Sequence, residues 1–125
     1  MADESINILV VEDDAAVRQF IAFTLSTSGF TVHQARDGVE ALRLIDASHG
    51  AIAVLLVDVV MPRLNGKDLA RAIHAVHPEI KIIFMSGYSE DTIADHGVAA
   101  SNIRFLKKPF SSATLIKMVH DLLRV

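Results

Sequence analysis

The sequence contains no cysteine. That excludes disulfides, a thiol nucleophile and thiolate metal ligation, and it suits a reducing cytosol. There is no run of basic residues, and the net charge is −3, so binding of nucleic acid through its phosphates is not expected. The apolar runs are far too short to cross a bilayer and are interrupted by Asp58, so no membrane insertion is expected. The first residues, Met1-Ala2-Asp3-Glu4-Ser5, are acidic and lack the charged-then-apolar order of a signal peptide. Internal repeats and low-complexity segments are also missing. So is any Gly-x-x-x-x-Gly-Lys-Ser/Thr stretch, which excludes a P-loop nucleotide binder. These absences leave a cytoplasmic location as the expectation.

What is present is apolar residue in quantity and in pattern. Of the 125 residues, 51% are apolar, which argues against disorder. The length suits one domain, and a chain of this size buries roughly two-thirds of its unfolded surface. Val54-Leu55-Leu56-Val57-Asp58 is the organising stretch. Its four consecutive apolar residues read as a strand buried on both faces, as in a parallel sheet. It ends on a carboxylate and runs into a loop with Pro62 and the turn signal Asn65-Gly66.

The remaining elements alternate around it. A first strand spans 6–11, followed by Glu12-Asp13-Asp14, with Asp14 as N-cap of a helix that carries Val17, Phe20, Ile21 and Leu25 inward and stops at Gly29. A second strand spans 30–35. Asp37 and Glu40 resemble a capping box opening a helix with Val39, Leu42 and Ile45. After the third strand, 52–57, Asn65 caps a helix with Leu69, Ile73 and Val76 inside, ending at His77 before Pro78. A fourth strand spans 80–85, and Ser89 caps a short fourth helix running through His96. A fifth strand spans 102–107, and Ser111 caps a last helix with Leu115, Met118, Val119 and Leu122 inward. Five alternations of strand and helix predict an α/β fold with a doubly wound parallel sheet and helices on both faces. The residues alone leave the strand order open.

Chemistry-bearing groups stand at the strand ends. Glu12 and Asp13 follow the first strand, Asp58 the third, Ser86 the fourth and Lys108 the fifth. In a parallel sheet these ends point one way, where ligand sites form. Each residue has an ordinary reading by itself: helix caps for the acids, a turn for Ser86, a solvated loop for Lys108. Their coincidence at successive strand ends is harder to explain that way. Three converging carboxylates raise one another's pKa unless neutralised. A hard cation such as Mg2+, which takes oxygen ligands, neutralises them. An amine and a hydroxyl alongside suit a phosphoryl group, and an Asp carboxylate can then act as nucleophile toward phosphorus.

The motifs Ile8-Leu9-Val10-Val11-Glu12-Asp13-Asp14, Leu56-Val57-Asp58-Val59-Val60-Met61-Pro62 with Asn65-Gly66, Ile83-Phe84-Met85-Ser86-Gly87 and Phe105-Leu106-Lys107-Lys108-Pro109-Phe110 resemble, in order and spacing, the receiver domain of two-component response regulators. The resemblance covers nearly the whole chain. It implies a flavodoxin-like five-stranded sheet in the order 2-1-3-4-5. It implies Asp58 as phosphoacceptor, and Glu12, Asp13, Asp58 and the Val60 carbonyl as ligands of Mg2+ (or Mn2+), Glu12 directly or through water. Lys108 would pair with the phosphoryl oxygens, Ser86 would be the hydroxyl switch, Phe105 the aromatic switch, and Lys108-Pro109 a cis peptide. The implied partner is a histidine kinase or histidine phosphotransfer protein. The implied output is a change in the surface of the fourth helix, fifth strand and fifth helix, which also accommodates a phosphorylation-linked homodimer. Residues 1–125 read as a single receiver domain with no output domain in the chain, and Met85-Ser86-Gly87-Tyr88-Ser89 resembles receivers attached to hybrid sensor kinases.

The chain departs from the family's commonest pattern at four places. Glu12 stands where Asp is commoner, Phe105 where Tyr is often found, and Val60 and Tyr88 flank the implied path of the water that removes the phosphoryl group. Val60 cannot orient that water and Tyr88 is bulky, so a long-lived acyl phosphate is expected. Two other functions compete with the phosphorylation switch. A haloacid-dehalogenase-type phosphatase also uses an aspartyl-phosphate, but its Asp-x-Asp motif is not matched by Glu12-Asp13-Asp14. A phosphate-independent interaction module would not need the complete acid, hydroxyl and lysine set. His74 and His77, at helical spacing, read as a solvated face. Ile116 and Leu123 extend the apolar face of the last helix, as either partner surface or wide core stripe.

Overall fold

In a computed structural model, residues 6–60, 65–87 and 103–124 are described. The elements are β1 (Asn7–Val11), α1 (Ala15–Thr27), β2 (Thr31–Ala35), α2 (Gly38–Ser48), β3 (Ile52–Asp58), α3 (Gly66–Val76), β4 (Lys81–Ser86), β5 (Ile103–Lys107) and α4 (Ser112–Leu123). The strands form one parallel sheet in the order β2-β1-β3-β4-β5, as the resemblance implies. The short helix expected from Ser89 to His96, and Tyr88, lie outside the described residues.

The central strands are apolar along their whole length because both sheet faces are covered. Leu9, Val11, Leu55, Val57 and Phe84 pack with Ala41 and Ile45 of α2 and Leu69, Ala70 and Ile73 of α3. Ile8, Val10, Val54, Leu56, Ile83 and Met85 pack on the other face with Ile21 and Leu25 of α1 and Leu115, Val119 and Leu122 of α4. Successive residues of a strand point to opposite faces, so a continuous apolar run feeds both cores at once.

The predicted caps within the described residues form. Asp14 accepts from the amides of Ala16 and Val17, Asn65 from Asp68 N–H and Ser111 from Thr114 N–H. Asp37 accepts from Glu40 N–H at 2.9 Å, but Glu40 reaches back one residue further than in a capping box, to Arg36 N–H at 2.8 Å. Three residues expected inside are outside. Val39 lies about 160° around the helix from buried Ala41 and is half exposed. Phe20 lies about 100° from Ile21, at the margin of the stripe, where its ring leans on Phe110 with centroids 6.4 Å apart. Val76 is the last residue of α3 and is 72% exposed at the helix end.

Candidate functional site

The carboxyl ends of β1, β3, β4 and β5 open on one edge of the sheet. Asp58 is the last residue of β3 and is buried, as are Glu12 just beyond β1 and Ser86 at the end of β4. Buried carboxylates need partners, and both have them. Lys108 Nζ donates to Glu12 Oε1 at 2.7 Å and to Asp58 Oδ2 at 3.2 Å. Glu12 Oε2 accepts from Asp14 N–H at 3.1 Å, and Asp58 Oδ1 from Val60 N–H at 3.2 Å. An ionised carboxylate offers about four lone-pair sites, so acceptor capacity is left on Asp58.

The loops are built to hold this arrangement. Lys108 follows β5, is anchored by its own N–H on the Ser86 carbonyl at 2.8 Å, and is joined to Pro109 by a cis peptide. Val59 N–H reaches the Met85 carbonyl at 3.0 Å, and Gly66 N–H closes the loop onto the Val59 carbonyl at 2.9 Å. A Cβ at Gly66 would run into the Asp58 carbonyl, so α3 can start this close to Asp58 only with glycine there.

Asp13 completes the acidic group. Glu12, Asp13 and Asp58 each bring a carboxylate oxygen within 4.8 Å of the others. In an octahedral Mg2+ shell neighbouring oxygens stand about 3.0 Å apart and opposite ones about 4.2 Å, so the three acids supply the right donor type for a hard divalent cation and would draw together around it. Asp13 itself is exposed and makes no hydrogen bond or ion pair among the described residues. The Glu12 carboxyl pKa stands above its ordinary value: burial is the largest cause and the Asp58 charge pushes the same way, against the hydrogen bonds from Lys108 and Asp14 and the Lys108 charge, which lower it. For Lys108, burial works against the ammonium. The hydrogen bonds to Glu12 and Asp58 and the charges of both together outweigh it, and the pKa stands above the ordinary lysine value.

The structure therefore brings together Glu12, Asp13, Asp58 and Lys108, with the Val60 amide on Asp58 and Ser86 at the neighbouring strand end. The Val60 side chain is 56% exposed. Phe105 stands apart from this cluster, half-buried on β5 and stacked on Phe84 with centroids 5.8 Å apart and planes at 19°. One participant escapes sequence reading. Arg18 Nη1 donates to the Glu12 main-chain carbonyl at 2.8 Å. An arginine four residues after an Asp N-cap reads as a surface ion-pair partner, and nothing in the sequence signals a reach back of six residues.

The family model for the response regulator receiver domain matches residues 8–120. The chain belongs to that family. This receiver domain is 42% identical over 119 residues to the sensor kinase CckA of Brucella abortus, covering 95% of the chain and 13% of that protein. It is 37% identical over 122 residues to the response regulator MprA of Mycobacterium ulcerans, covering 96% and 51%. The chain thus spans about half, or much less, of the curated relatives it matches. Among solved structures, a response regulator receiver protein from Sinorhizobium medicae superposes with a TM-score of 0.87 at 30% identity, covering 98% of this chain and 97% of that one. The receiver domain of the hybrid histidine kinase CckA gives 0.81 at 33%, covering 94% and 98%. Among the described residues of this receiver domain, no helix is long and apolar enough to cross a membrane.

Proposed function

We propose that this receiver domain is a phosphorelay switch that takes a phosphoryl group from a phosphohistidine onto Asp58. The observation that carries the reading is the contact set of Asp58: a buried carboxylate at a strand end, touched by Lys108 and the Val60 amide and flanked by two further acids. The donor is a histidine kinase or a histidine phosphotransfer protein. An Asp58 oxygen attacks phosphorus, the new O–P bond forms as the P–N bond breaks, and the departing histidine nitrogen keeps the electron pair. Lys108, already against Asp58, turns to the phosphoryl oxygens. Positioning and charge neutralisation do most of the work in such a transfer.

Glu12, Asp13, Asp58 and the Val60 carbonyl would hold Mg2+ or Mn2+, with Glu12 acting directly or through water. When bound, the cation supplies positive charge against the phosphoryl oxygens. Ser86 then hydrogen-bonds the phosphoryl group, and Phe105 follows by repacking. Those movements change the surface around β5, α4 and the segment before β5, which controls a partner, an output domain or a second copy of the chain. A modification shifts such an equilibrium only by its differential interaction with the two states. The domain turns over no external substrate; it promotes its own phosphorylation and loses the group slowly, in the cytoplasm.

Intact mass after incubation with Mg2+ and a small acyl phosphate tests this. One added phosphoryl group, absent in Asp58→Asn and in chelator, is the expected result. No adduct on a folded wild-type protein would leave a phosphate-independent interaction module instead.

A further inference from the structure

We infer that Arg18 is a positioning residue for the acidic cluster, fixing the Glu12–Asp13 peptide and through it the aim of the Asp13 carboxylate. The inference rests on the proposed reading of that cluster as a divalent-cation site.

Glu12 is tethered at every polar group. Its N–H donates to the Ala35 carbonyl at 3.0 Å, and its two carboxylate oxygens accept from Lys108 and Asp14. Its carbonyl lies beyond the last β1–β2 ladder pair, Val11 with Ala35, and before the Asp14 N-cap of α1. Neither sheet nor helix supplies a donor there. The Arg18 guanidinium does, at 2.8 Å. Arg18 is itself fixed in the first turn of α1, where its N–H donates to the Asp14 carbonyl at 2.9 Å.

Asp13 is the opposite case. Its side chain is exposed and has no hydrogen bond or ion pair among the described residues. Among the described residues, only its backbone and its own rotamer then aim the carboxylate at Glu12 and Asp58. The peptide that sets this backbone is the one whose carbonyl Arg18 holds. The half-buried Arg18 donor on that carbonyl holds the orientation of the Glu12–Asp13 peptide from which the Asp13 side chain springs. Outer partners of metal ligands act in this way, by orienting ligands they do not replace.

Geometry and charge predict opposite signs here, which makes the inference testable. A guanidinium near the cluster repels an incoming cation, so if only its field mattered, removing it would tighten Mg2+ binding. If it orients Asp13, removing it weakens binding. The experiment is calorimetric titration of the phosphate-free protein with MgCl2, for wild type, Arg18→Met and Arg18→Lys, well below their melting temperatures. Loss of about tenfold in Mg2+ affinity is expected for Arg18→Met. A smaller loss is expected for Arg18→Lys, which keeps the charge but not the reach or the fork. The Asp13 amide resonance of the Mg2+-free protein should also move in both variants. A merely structural role would lower the melting temperature while leaving the affinity of the folded protein unchanged. Affinity equal to or tighter than wild type in the variants overturns the role of Arg18 alone. If Arg18→Met does not fold, wild-type affinity in Arg18→Lys does the same. A wild type that binds no Mg2+ overturns this inference together with the cation site.

Discussion

Lys108 Nζ stands between two carboxylates, 2.7 Å from Glu12 Oε1 and 3.2 Å from Asp58 Oδ2. One ammonium thus pairs with both buried acids of the cluster, and the set keeps a net negative charge while Asp13 faces solvent. Lys108→Met should therefore separate two properties. Mg2+ should bind at least as tightly, because a competing positive charge is gone. Phosphorylation by a small acyl phosphate should fall sharply, because the phosphoryl oxygens lose their partner. Stability without metal should drop by about 1–3 kcal/mol, the ordinary cost of an orphaned buried polar group. Calorimetry, intact mass and denaturant titration read the three effects.

Gly66 touches the same centre through the backbone. A methyl group there meets the Asp58 carbonyl carbon and the Val59 Cα at 2.9 Å, and its carbonyl oxygen closer still. Gly66→Ala should cost about 1–3 kcal/mol by overpacking, although alanine favours a helix start elsewhere. Denaturant midpoints measure the cost, and the rate of phosphorylation should fall with it because Asp58 is displaced.

Val60 offers its amide, not its side chain, to Asp58. The side chain is mostly solvated, so it can be changed without disturbing the core. Val60→Asn should speed loss of the phosphoryl group on the order of tenfold, equivalent to about 1.4 kcal/mol of barrier, by orienting water. Tyr88→Ala should add to it by opening the path. Dephosphorylation followed by intact mass decides the matter, and unchanged rates in both variants would show that these positions do not govern the lifetime.

Phe105 is held by its stack on Phe84. Phe105→Ala should lower stability by about 1–3 kcal/mol, less than a fully buried Phe→Ala change. It should leave Mg2+ binding and phosphorylation near wild type, because the ring stacks on Phe84. Partner affinity should then respond less to phosphorylation. Equal loss of phosphorylation and stability would contradict this separation.

Much of this architecture is legible because its causes are local. The caps Asp14, Asp37, Asn65 and Ser111 use short side chains that bond their own neighbours. The apolar run before Asp58 needs two covered faces, and parallel pairing supplies them. The strand order comes from the family resemblance, since strand–helix alternation permits several. What stays hidden depends on neighbours distant in sequence or on which way a helix face turns. Phe20 belongs to the apolar pattern of α1, yet its ring meets Phe110 at the margin of the core. Glu40 could bond Asp37 or Arg36, and only the loop's path selects Arg36. The contact of Lys108 with Glu12 spans the chain, and Arg18 reaches a main-chain carbonyl; neither leaves a sequence signal of its own.

The central claim is that Asp58 is the residue that carries the phosphoryl group. Borohydride reduction of the phosphorylated protein, followed by peptide mass spectrometry, tests it most directly, because an acyl phosphate on Asp is reduced to homoserine. The account predicts homoserine at position 58 and nowhere else, and none when chelator is present during phosphorylation. Homoserine at Asp13 or another acid, or a phosphoryl group that resists reduction, would contradict it.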